Sequence, residues 1–211
     1  MVQILPINEE SLTLVADVVS RGGIVVVPTD TVYGVACNPH DEQAIARIFA
    51  VKQRPATKSL QILMADVQAL DELGLALPTP LDRLGERFLP GAFSPIAVMV
   101  HDRGLKTLKQ TSDGVLTQGV RVPDSDACRA ILRVTGPLAC SSANKSGQQS
   151  AHSVQEAVAA FGDEVDLYVD GGPTVSHVAS TVVEADPNDA DGIRIIREGR
   201  LDEASVRAAL R

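Results

Sequence analysis

Apolar and polar positions change their spacing sharply within the first thirty residues. Residues 8–22 place apolar side chains at helical intervals, with Asn8 as the N-cap and glycines at the end. The apolar stripe comprises Leu12, Val15, Val18 and Val19. Residues 24–27 then form an unbroken β-branched run that stops at Pro28, which is typical of a strand buried on both faces. The pattern predicts a helix followed directly by an interior strand.

Residues 28–39 read as a loop, and helical spacing resumes after Asp41. Asp41 is a good N-cap, and the apolar stripe comprises Ile45, Ile48 and Phe49. Because Pro55 biases the residue before it away from helical angles, this second helix should end near Lys52.

Short apolar runs later in the chain predict seven more strands. They are 60–64, 96–100, 119–122, 138–141, 167–169, 180–183 and 193–197. Capping-box patterns at Thr79–Asp82 and Ser153–Glu156 mark two helix starts between them. Strands and helices alternate irregularly, so we expect an α/β fold with α+β character, in which helices flank a twisted mixed sheet. Because the sequence contains no long linker, residues 1–211 are predicted to form a single domain.

Composition narrows the possible functions. The chain is 45% hydrophobic and 22% charged, with a formal net charge of -8, which argues against a broad polyanion-binding surface. Aromatic residues make up 3% and Trp is absent, so any RNA contact should be weak or indirect. Three scattered cysteines, the lack of a basic apolar leader and the lack of an apolar run of about 20 residues predict a cytoplasmic protein without membrane segments.

The first candidate site is the segment 28–34, which follows the predicted interior strand. Thr29, Asp30 and Thr31 place two hydroxyls and a carboxylate at the carboxyl end of that strand, where α/β proteins usually bind ligands. The same residues could simply form a side-chain-stabilised turn. The segment therefore indicates a site only moderately by itself.

The second candidate is the cationic group Lys52, Arg54 and Lys58. Compact ammonium groups beside a guanidinium fork suit a polyphosphate or a carboxylate. Cations near a helix C-terminus are also ordinary partners of the helix dipole, which is the more common situation.

The third candidate is 140–147, a polar loop rich in Ser and Asn that again follows a predicted strand. Ser142 and Lys145 also match the SxxK motif of penicillin-binding proteins, but the partner motifs Lys-Thr-Gly and Ser-Asp-Asn are missing. The Walker A and GxGxxG fingerprints are absent from the sequence. The four histidines look isolated, so we expect surface or capping roles for them and no metal site.

Taken together, these clusters resemble one family, the YrdC-like and YciO-like threonylcarbamoyl-AMP synthases. The matching blocks are 29–34, Lys52-x-Arg54, 90–91, 121–124, 142–147, 180–183 and 197–199. They span nearly the whole chain in the expected order. The resemblance implies a YrdC-like fold around a large, positively charged cavity, in the branch without a fused C-terminal domain.

The resemblance also implies roles for individual residues. Catalytic roles fall to Lys52 and Arg54, whose alanine variants should lose turnover without unfolding, on the expectation that both line the cavity. The implied nucleotide contacts are Lys52, Arg54, Lys58, Thr117, Ser142, Asn144, Ser150, Arg194 and Arg197. The implied threonine contacts are Thr31, Arg121 and Ser180.

The implied reaction condenses L-threonine, bicarbonate or CO2 and ATP to threonylcarbamoyl-AMP and pyrophosphate for tRNA modification. Mg²⁺ should enter bound to ATP, and transient contact with the tRNA threonylcarbamoyl-transfer complex is implied. The sequence departs from the usual family pattern at three places: Ala92-Phe93-Ser94 stands where Pro-Leu-Thr is usual, Ala179 where Pro is frequent, and Glu184 where Asp is usual. These departures leave open the alternative that the chain is a YciO-like paralogue, which binds nucleotide or RNA and uses another acceptor substrate. An RNA-binding module and an acyltransferase built on Ser142 and Lys145 also stay open at this point.

Overall fold

A computed structural model describes residues 2–55 and 57–211. The helices are α1 (Glu9–Ser20), α2 (Glu42–Val51), α3 (Ala69–Leu73), α4 (Leu81–Phe88), α5 (Asp126–Thr135), α6 (Val154–Phe161) and α7 (Glu203–Ala208). The strands are β1 (Ile4–Pro6), β2 (Val25–Val27), β3 (Gly34–Cys37), β4 (Gln61–Leu63), β5 (Leu75–Ala76), β6 (Phe93–Met99), β7 (Lys109–Gln110), β8 (Leu116–Arg121), β9 (Leu138–Ser142), β10 (Leu167–Asp170), β11 (Thr181–Ala185) and β12 (Ile193–Arg197).

These strands form a mixed sheet in the order β1-β10-β2-β3-β9-β4-β8-β6-β11-β12, with β5 on β6 and β7 on β8. Parallel pairs such as β4 with β8 adjoin antiparallel pairs such as β3 with β9. The predicted mixed sheet flanked by helices is confirmed. Strands distant in sequence, notably β6 and β11, become neighbours in this order.

The first predicted elements are confirmed in detail. Asn8 caps α1 through a reciprocal pair, in which its side chain accepts from Ser11 N and the Ser11 hydroxyl accepts from Asn8 N. All three residues of β2 are buried. The Asp41 carboxylate accepts from the first backbone N–H groups of α2, which ends at the residue before Lys52.

Two local predictions are wrong. The segment 28–39 is not a loop throughout, because β3 lies within it and pairs with both β2 and β9 at the centre of the sheet. Tertiary pairing of a short apolar run, rather than local propensity, makes this strand. Thr79 does not cap α4 either, since its hydroxyl donates to the Asp82 carboxylate and the N-cap position is Pro80.

The second capping box is largely as expected. The Ser153 hydroxyl accepts from Glu156 N at 3.3 Å, so α6 begins where predicted. The Glu156 carboxylate accepts from His152 N, one residue before the cap. This contact anchors the loop that leads from β9 into α6.

Alternate residues of the central strands pack on opposite faces of the sheet. Val26 and Val35 face a cluster that includes residues of α2 and α6. Val25 and Ala36 face a second cluster, formed with α1 and α5. The two layers hold the ends of β3, β4 and β9 rigidly. In the described part of the chain, no helix has the length and apolarity that crossing a bilayer requires.

Candidate active site

A cavity of about 470 Å³ opens beside the ends of β4, β8 and β9 and extends to β6, β11 and β12. This volume is in the range of small-molecule sites. Nine of the twelve residues predicted for the site line it. They are Thr31, Arg54, Lys58, Thr117, Arg121, Ser142, Ser150, Ser180 and Arg197. The fold thus gathers segments that lie far apart in the sequence into one chamber.

The charge of the lining differs from that of the whole chain. Five cationic side chains line the cavity, namely Arg54, Lys58, Lys109, Arg121 and Arg197, and among the described residues no Asp or Glu belongs to the lining. Formal net charge of the full sequence is -8. Concentrated positive charge with partly desolvated walls favours an anionic ligand.

The pKa values of two of these cations reflect their crowding. The pKa of Arg197 is lowered, first by burial and then by the positive charges of Arg121 and Arg54. Burial also lowers the pKa of Arg54, whose Nε is buried and has no hydrogen-bond partner among the described residues. A bound anion would relieve this mutual repulsion.

Arg121 is fixed in place by three partners. Its guanidinium donates to the Asp30 carboxylate at 2.7 Å, to the Thr31 hydroxyl at 2.8 Å and to the Gly91 carbonyl at 2.9 Å. The Arg121 and Asp30 side chains are only 3% and 8% exposed. The predicted turn also exists, because the Thr29 hydroxyl donates to Val32 O and accepts from Thr31 N. The segment 28–34 therefore forms the predicted turn and also contributes Thr31 to the cavity lining.

The β9 end of the cavity is organised around Asn144. The Ser142 hydroxyl donates to the Asn144 side-chain oxygen at 2.6 Å, and the Asn144 amide donates to the carbonyls of Lys145 and Gln148. The buried Asn144 does not itself belong to the lining. In this structure it shapes the loop that presents Ser142 and Ser150.

Lys52 lies behind the cavity wall, and the expectation that it lines the cavity is wrong. Its side chain is buried, and its ammonium donates to the carbonyls of Ser142 and Asn144, the latter at 2.7 Å. Burial, together with the charge of Arg54, lowers the pKa of Lys52 to about 8. The backbone carbonyl of Lys52 also accepts from Ser146 N. The residue ties the end of α2 to the end of β9.

Arg194 is the third predicted residue outside the lining. Its side chain is 63% exposed and pairs with Glu184 on the adjacent strand β11. Arg197 from the same strand does reach the cavity, where it donates to the Ser180 carbonyl at 2.7 Å. The two arginines are three residues apart on β12, and side chains at that spacing on a strand point to opposite faces of the sheet.

An acyltransferase built on the SxxK motif lacks the geometry that it needs. The Lys145 ammonium donates to the Val51 carbonyl and to the Glu164 carboxylate, each at 2.7 Å, whereas the Ser142 hydroxyl donates to Asn144. A lysine base must be within hydrogen-bond reach of its serine. Lys145 is instead engaged by other groups.

Several polar residues of the lining were not predicted from the sequence. They are Ser59, Gln61, Ser94, Thr107, Lys109 and Gln118. Lys109 enters through β7, a two-residue strand that pairs with β8 opposite Thr117. Gln118 is buried and accepts from the Thr107 hydroxyl at 2.6 Å. The pairing of β4, β6, β7 and β8 brings Gln61, Ser94, Lys109 and Gln118 together, whereas Ser59 and Thr107 lie just before β4 and β7.

The expectation that all histidines are isolated is wrong. The rings of His152 and His177 meet edge to face with their centroids 4.0 Å apart, and His152 is buried. Burial and the neighbouring His177 lower the pKa of His152. Within residues 2–55 and 57–211, no group of three or more His, Cys, Asp or Glu side chains could hold a metal ion.

A family model for the Sua5/YciO/YrdC domain, described as telomere recombination, matches residues 17–199. The chain belongs to the Sua5/YciO/YrdC family. The threonylcarbamoyl-AMP synthase of Stutzerimonas stutzeri is 35% identical over 160 residues, covering 74% of this chain and 83% of the relative. The threonylcarbamoyl-AMP synthase of Pyrococcus abyssi is 32% identical over 179 residues, covering 84% of this chain and 52% of the relative.

Solved structures of the Sua5/YciO/YrdC family have the same fold. The crystal structure of P. abyssi Sua5 complexed with L-threonine superimposes with a TM-score of 0.84 at 28% identity, covering 99% of this chain and 60% of that chain. The crystal structure of Escherichia coli YciO gives a TM-score of 0.80 at 25% identity, covering 96% of this chain and 98% of that one. The chain thus spans about half of the P. abyssi synthase and nearly all of YciO.

Proposed function

We propose that this chain is an L-threonylcarbamoyladenylate synthase, a nucleotidyltransferase that joins L-threonine, bicarbonate or CO2 and ATP. One observation carries the proposal: in a chain of net charge -8, nine predicted site positions share a cationic cavity whose described lining includes no acidic residue. Relatives of similar sequence bear the name threonylcarbamoyl-AMP synthase. A Sua5 of the same fold was crystallised with L-threonine.

The chemistry explains why such a cavity is needed. The neutral amine of threonine adds to CO2 and loses a proton, giving a carbamate that decomposes readily in water. A carbamate oxygen then attacks the α-phosphorus of ATP, and the bond to the pyrophosphate leaving group breaks. Because the carbamate and the triphosphate repel each other, holding both in one closed and cationic site is the main catalytic task.

The lining residues divide naturally between the two substrates. Arg121, fixed by Asp30 and Thr31, suits the carboxylate of threonine, and Ser180 lies beside Arg197 in the same part of the cavity. Arg54, whose Nε has no partner within the described chain, is the best-placed cation for the phosphates. Lys58 and Lys109 are further cations of the lining, which also includes Thr117, Ser142 and Ser150. The Ser142 hydroxyl donates to Asn144 in this structure, so it must turn away from Asn144 to donate to a phosphate. Arg54 thus takes the direct catalytic role, while Lys52 positions Ser142.

Mg²⁺ fits this scheme as part of the substrate MgATP. The cavity lining has no carboxylate among the described residues, so the protein supplies no ligand set for a resident ion there. Bound to the phosphates, the ion would neutralise charge on the leaving pyrophosphate. We further propose that the protein works in the cytoplasm and hands its labile product to the tRNA threonylcarbamoyl-transfer complex.

Product analysis tests the proposal directly. Incubation with labelled bicarbonate, threonine, ATP and Mg²⁺ should yield labelled threonylcarbamoyl-AMP by mass spectrometry. Pyrophosphate should be released only when all four are present. Release that continues unchanged without threonine would contradict the proposed acceptor.

A second candidate is a YciO-like protein with another acceptor. The specific observation in its favour is the fold, which superimposes on that of YciO with a TM-score of 0.80 at 25% identity. This candidate predicts ATP-dependent turnover with an acceptor other than threonine. A pure RNA-binding module would instead show salt-sensitive RNA affinity without turnover.

A further inference from the structure

A buried hydrogen-bond relay ends at Ser180 in the cavity. The Ser94 hydroxyl lies 3.0 Å from the side-chain oxygen of Gln61 and 2.8 Å from the Ser180 hydroxyl oxygen. Ser94 and Ser180 are each 1% exposed, and all three residues belong to the cavity lining. They come from three places in the sheet, namely β4, β6 and the start of β11.

The fold makes room for this relay. β8 lies between β4 and β6, and its Gly119 pairs with Ile96 on β6. A Cβ at Gly119 would lie 3.8 Å from the Gln61 Cβ and 3.5 Å from Ile96. At these distances a Cβ would make ordinary van der Waals contacts, so Gly119 packs directly beside Gln61 and Ile96.

The direction of the relay follows from counting protons. A serine hydroxyl has one proton, and the side-chain oxygen of glutamine can only accept. Ser94 donates to Gln61, so it can only accept from Ser180. The Ser180 proton is then committed to Ser94, and the Ser180 oxygen can offer only its lone pairs to a ligand.

Such an acceptor is scarce and chemically useful here. The cavity is rich in donors for anions, yet among the described residues no carboxylate lines it to receive the N–H groups of an amine. A carboxylate beside an amine would raise the pKa of that amine and keep it protonated. A neutral hydroxyl can orient the amine and still leave it free to react with CO2.

We propose that Gln61 is a specificity-determining positioning residue, which acts through Ser94 to turn the lone pairs of Ser180 toward the amine of an amino-acid substrate. The inference rests on the proposed synthase function and deepens it. Arg121 would hold the carboxylate of that substrate, and Ser180 its amine. Arg197 donates to the Ser180 carbonyl at 2.7 Å, and the same nitrogen lies 3.4 Å from the Ser180 hydroxyl oxygen. One lone pair of that hydroxyl therefore already faces Arg197, and the other is left for the amine.

Steady-state kinetics of pyrophosphate release by the full chain test the relay. Gln61→Met keeps the length of the side chain without the acceptor, and Ser94→Ala removes the link. Each should raise the KM for threonine about tenfold, the cost of one misdirected hydrogen bond, with the KM for MgATP within about twofold. Because either change breaks the same relay, the double variant should be no worse than the poorer single variant.

Two further variants make the test specific. Gln110→Met introduces the same chemical change on β7, where Gln110 is exposed and donates to Gly114 O, and it should leave both KM values unchanged. Gln61→Glu retains an accepting oxygen but adds negative charge. It should shift the acidic limb of the pH profile of kcat, measured at saturating threonine, to higher pH, since a carboxylate raises the pKa of the bound amine.

Independent, additive effects of the two single variants, or equal changes in both KM values, would overturn the inference while the proposed function stands. Unchanged threonine kinetics in both variants would do the same. A wild-type protein that releases pyrophosphate without threonine would overturn the proposed function and the inference together, so the two failures can be told apart.

Discussion

Lys52 and Arg54 are separated by one residue, yet they belong to different regions of the molecule. Lys52 lies in the wall behind the cavity, 1% exposed, with its ammonium on two backbone carbonyls. Arg54 lies on the cavity side, donates to the Ser59 carbonyl at 3.1 Å and keeps a buried Nε that meets no acceptor in the described structure. The Lys52 ammonium in the wall is hydrogen-bonded to protein carbonyls, whereas Arg54 in the lining has a donor without an acceptor in the described structure.

This difference distinguishes Lys52 from Arg54 although the two cations are close in the sequence. Arg121 combines both features, because it is paired with the buried Asp30 and still lines the cavity. A buried cation with protein partners contributes to the arrangement of its neighbours. A cation among other cations, with unused donors, is suited to bind an anion. The predictions that follow test this division, beginning with the largest expected effect.

Arg54→Ala should lower kcat/KM about 100-fold, because the phosphates lose charge-assisted hydrogen bonds worth roughly 1.5–3 kcal/mol each. The melting temperature should change little, since the side chain contributes a hydrogen bond to the Ser59 carbonyl and no described ion pair. Pyrophosphate-release kinetics and thermal unfolding on the same preparation check both parts. Full activity combined with a lower melting temperature would place Arg54 in the wall region instead.

Lys52→Met should show its effect through the pH dependence of stability. The pKa of Lys52 is about 8 in the folded protein, below the ordinary 10.5, so the unfolded state binds its proton more tightly. Wild type therefore gains stability relative to Lys52→Met as the pH rises from about 8 to about 10.5, by about 2 kcal/mol. Urea unfolding of both proteins between pH 7 and pH 10 measures this gain.

A difference in unfolding free energy that stays constant over this range would mean that Lys52 is not buried as a cation. Activity adds a second readout. Since Lys52 holds the carbonyls of Ser142 and Asn144, the variant should also lose activity at every pH. The conservative Lys52→Arg change should not restore it, because a guanidinium is too large for that space.

Lys109→Ala should raise the KM for MgATP about fivefold and leave the KM for threonine within about twofold. Lys109 is a partly exposed cation of the lining, so solvent screens its contribution. Initial rates over a matrix of both substrate concentrations separate the two constants. An equal rise in both KM values would argue against a phosphate contact.

Arg194→Ala should change kcat/KM less than twofold, which makes it the matched control for Arg54→Ala. Its guanidinium is 63% exposed and pairs with Glu184 outside the cavity lining. The same kinetic assay applies. A large loss of activity would show that Arg194 reaches the nucleotide after all and that the lining changes when ligand binds.

Local sequence signals predicted α1, β2 and α2 well, whereas β1 was not predicted. The Asn8 cap, the buried β2 run and the Asp41 cap were all readable because each depends on neighbours within a few residues. β3 was missed, since a short strand at the centre of a sheet depends on partners far away in the chain. Thr79 does not cap α4, because its hydroxyl donates to the Asp82 carboxylate.

The sequence alone determined which chemical groups this protein has and, through the order of its polar clusters, the family to which it belongs. Residue types and their order are properties of the chain itself. Only the tertiary structure decided that Lys52 supports the wall while Arg54 faces the cavity, and that Gln61, Ser94 and Ser180 form one relay. Burial and hydrogen-bond direction depend on which strands become neighbours, and those pairings join residues as far apart in the sequence as Ile4 and Tyr168.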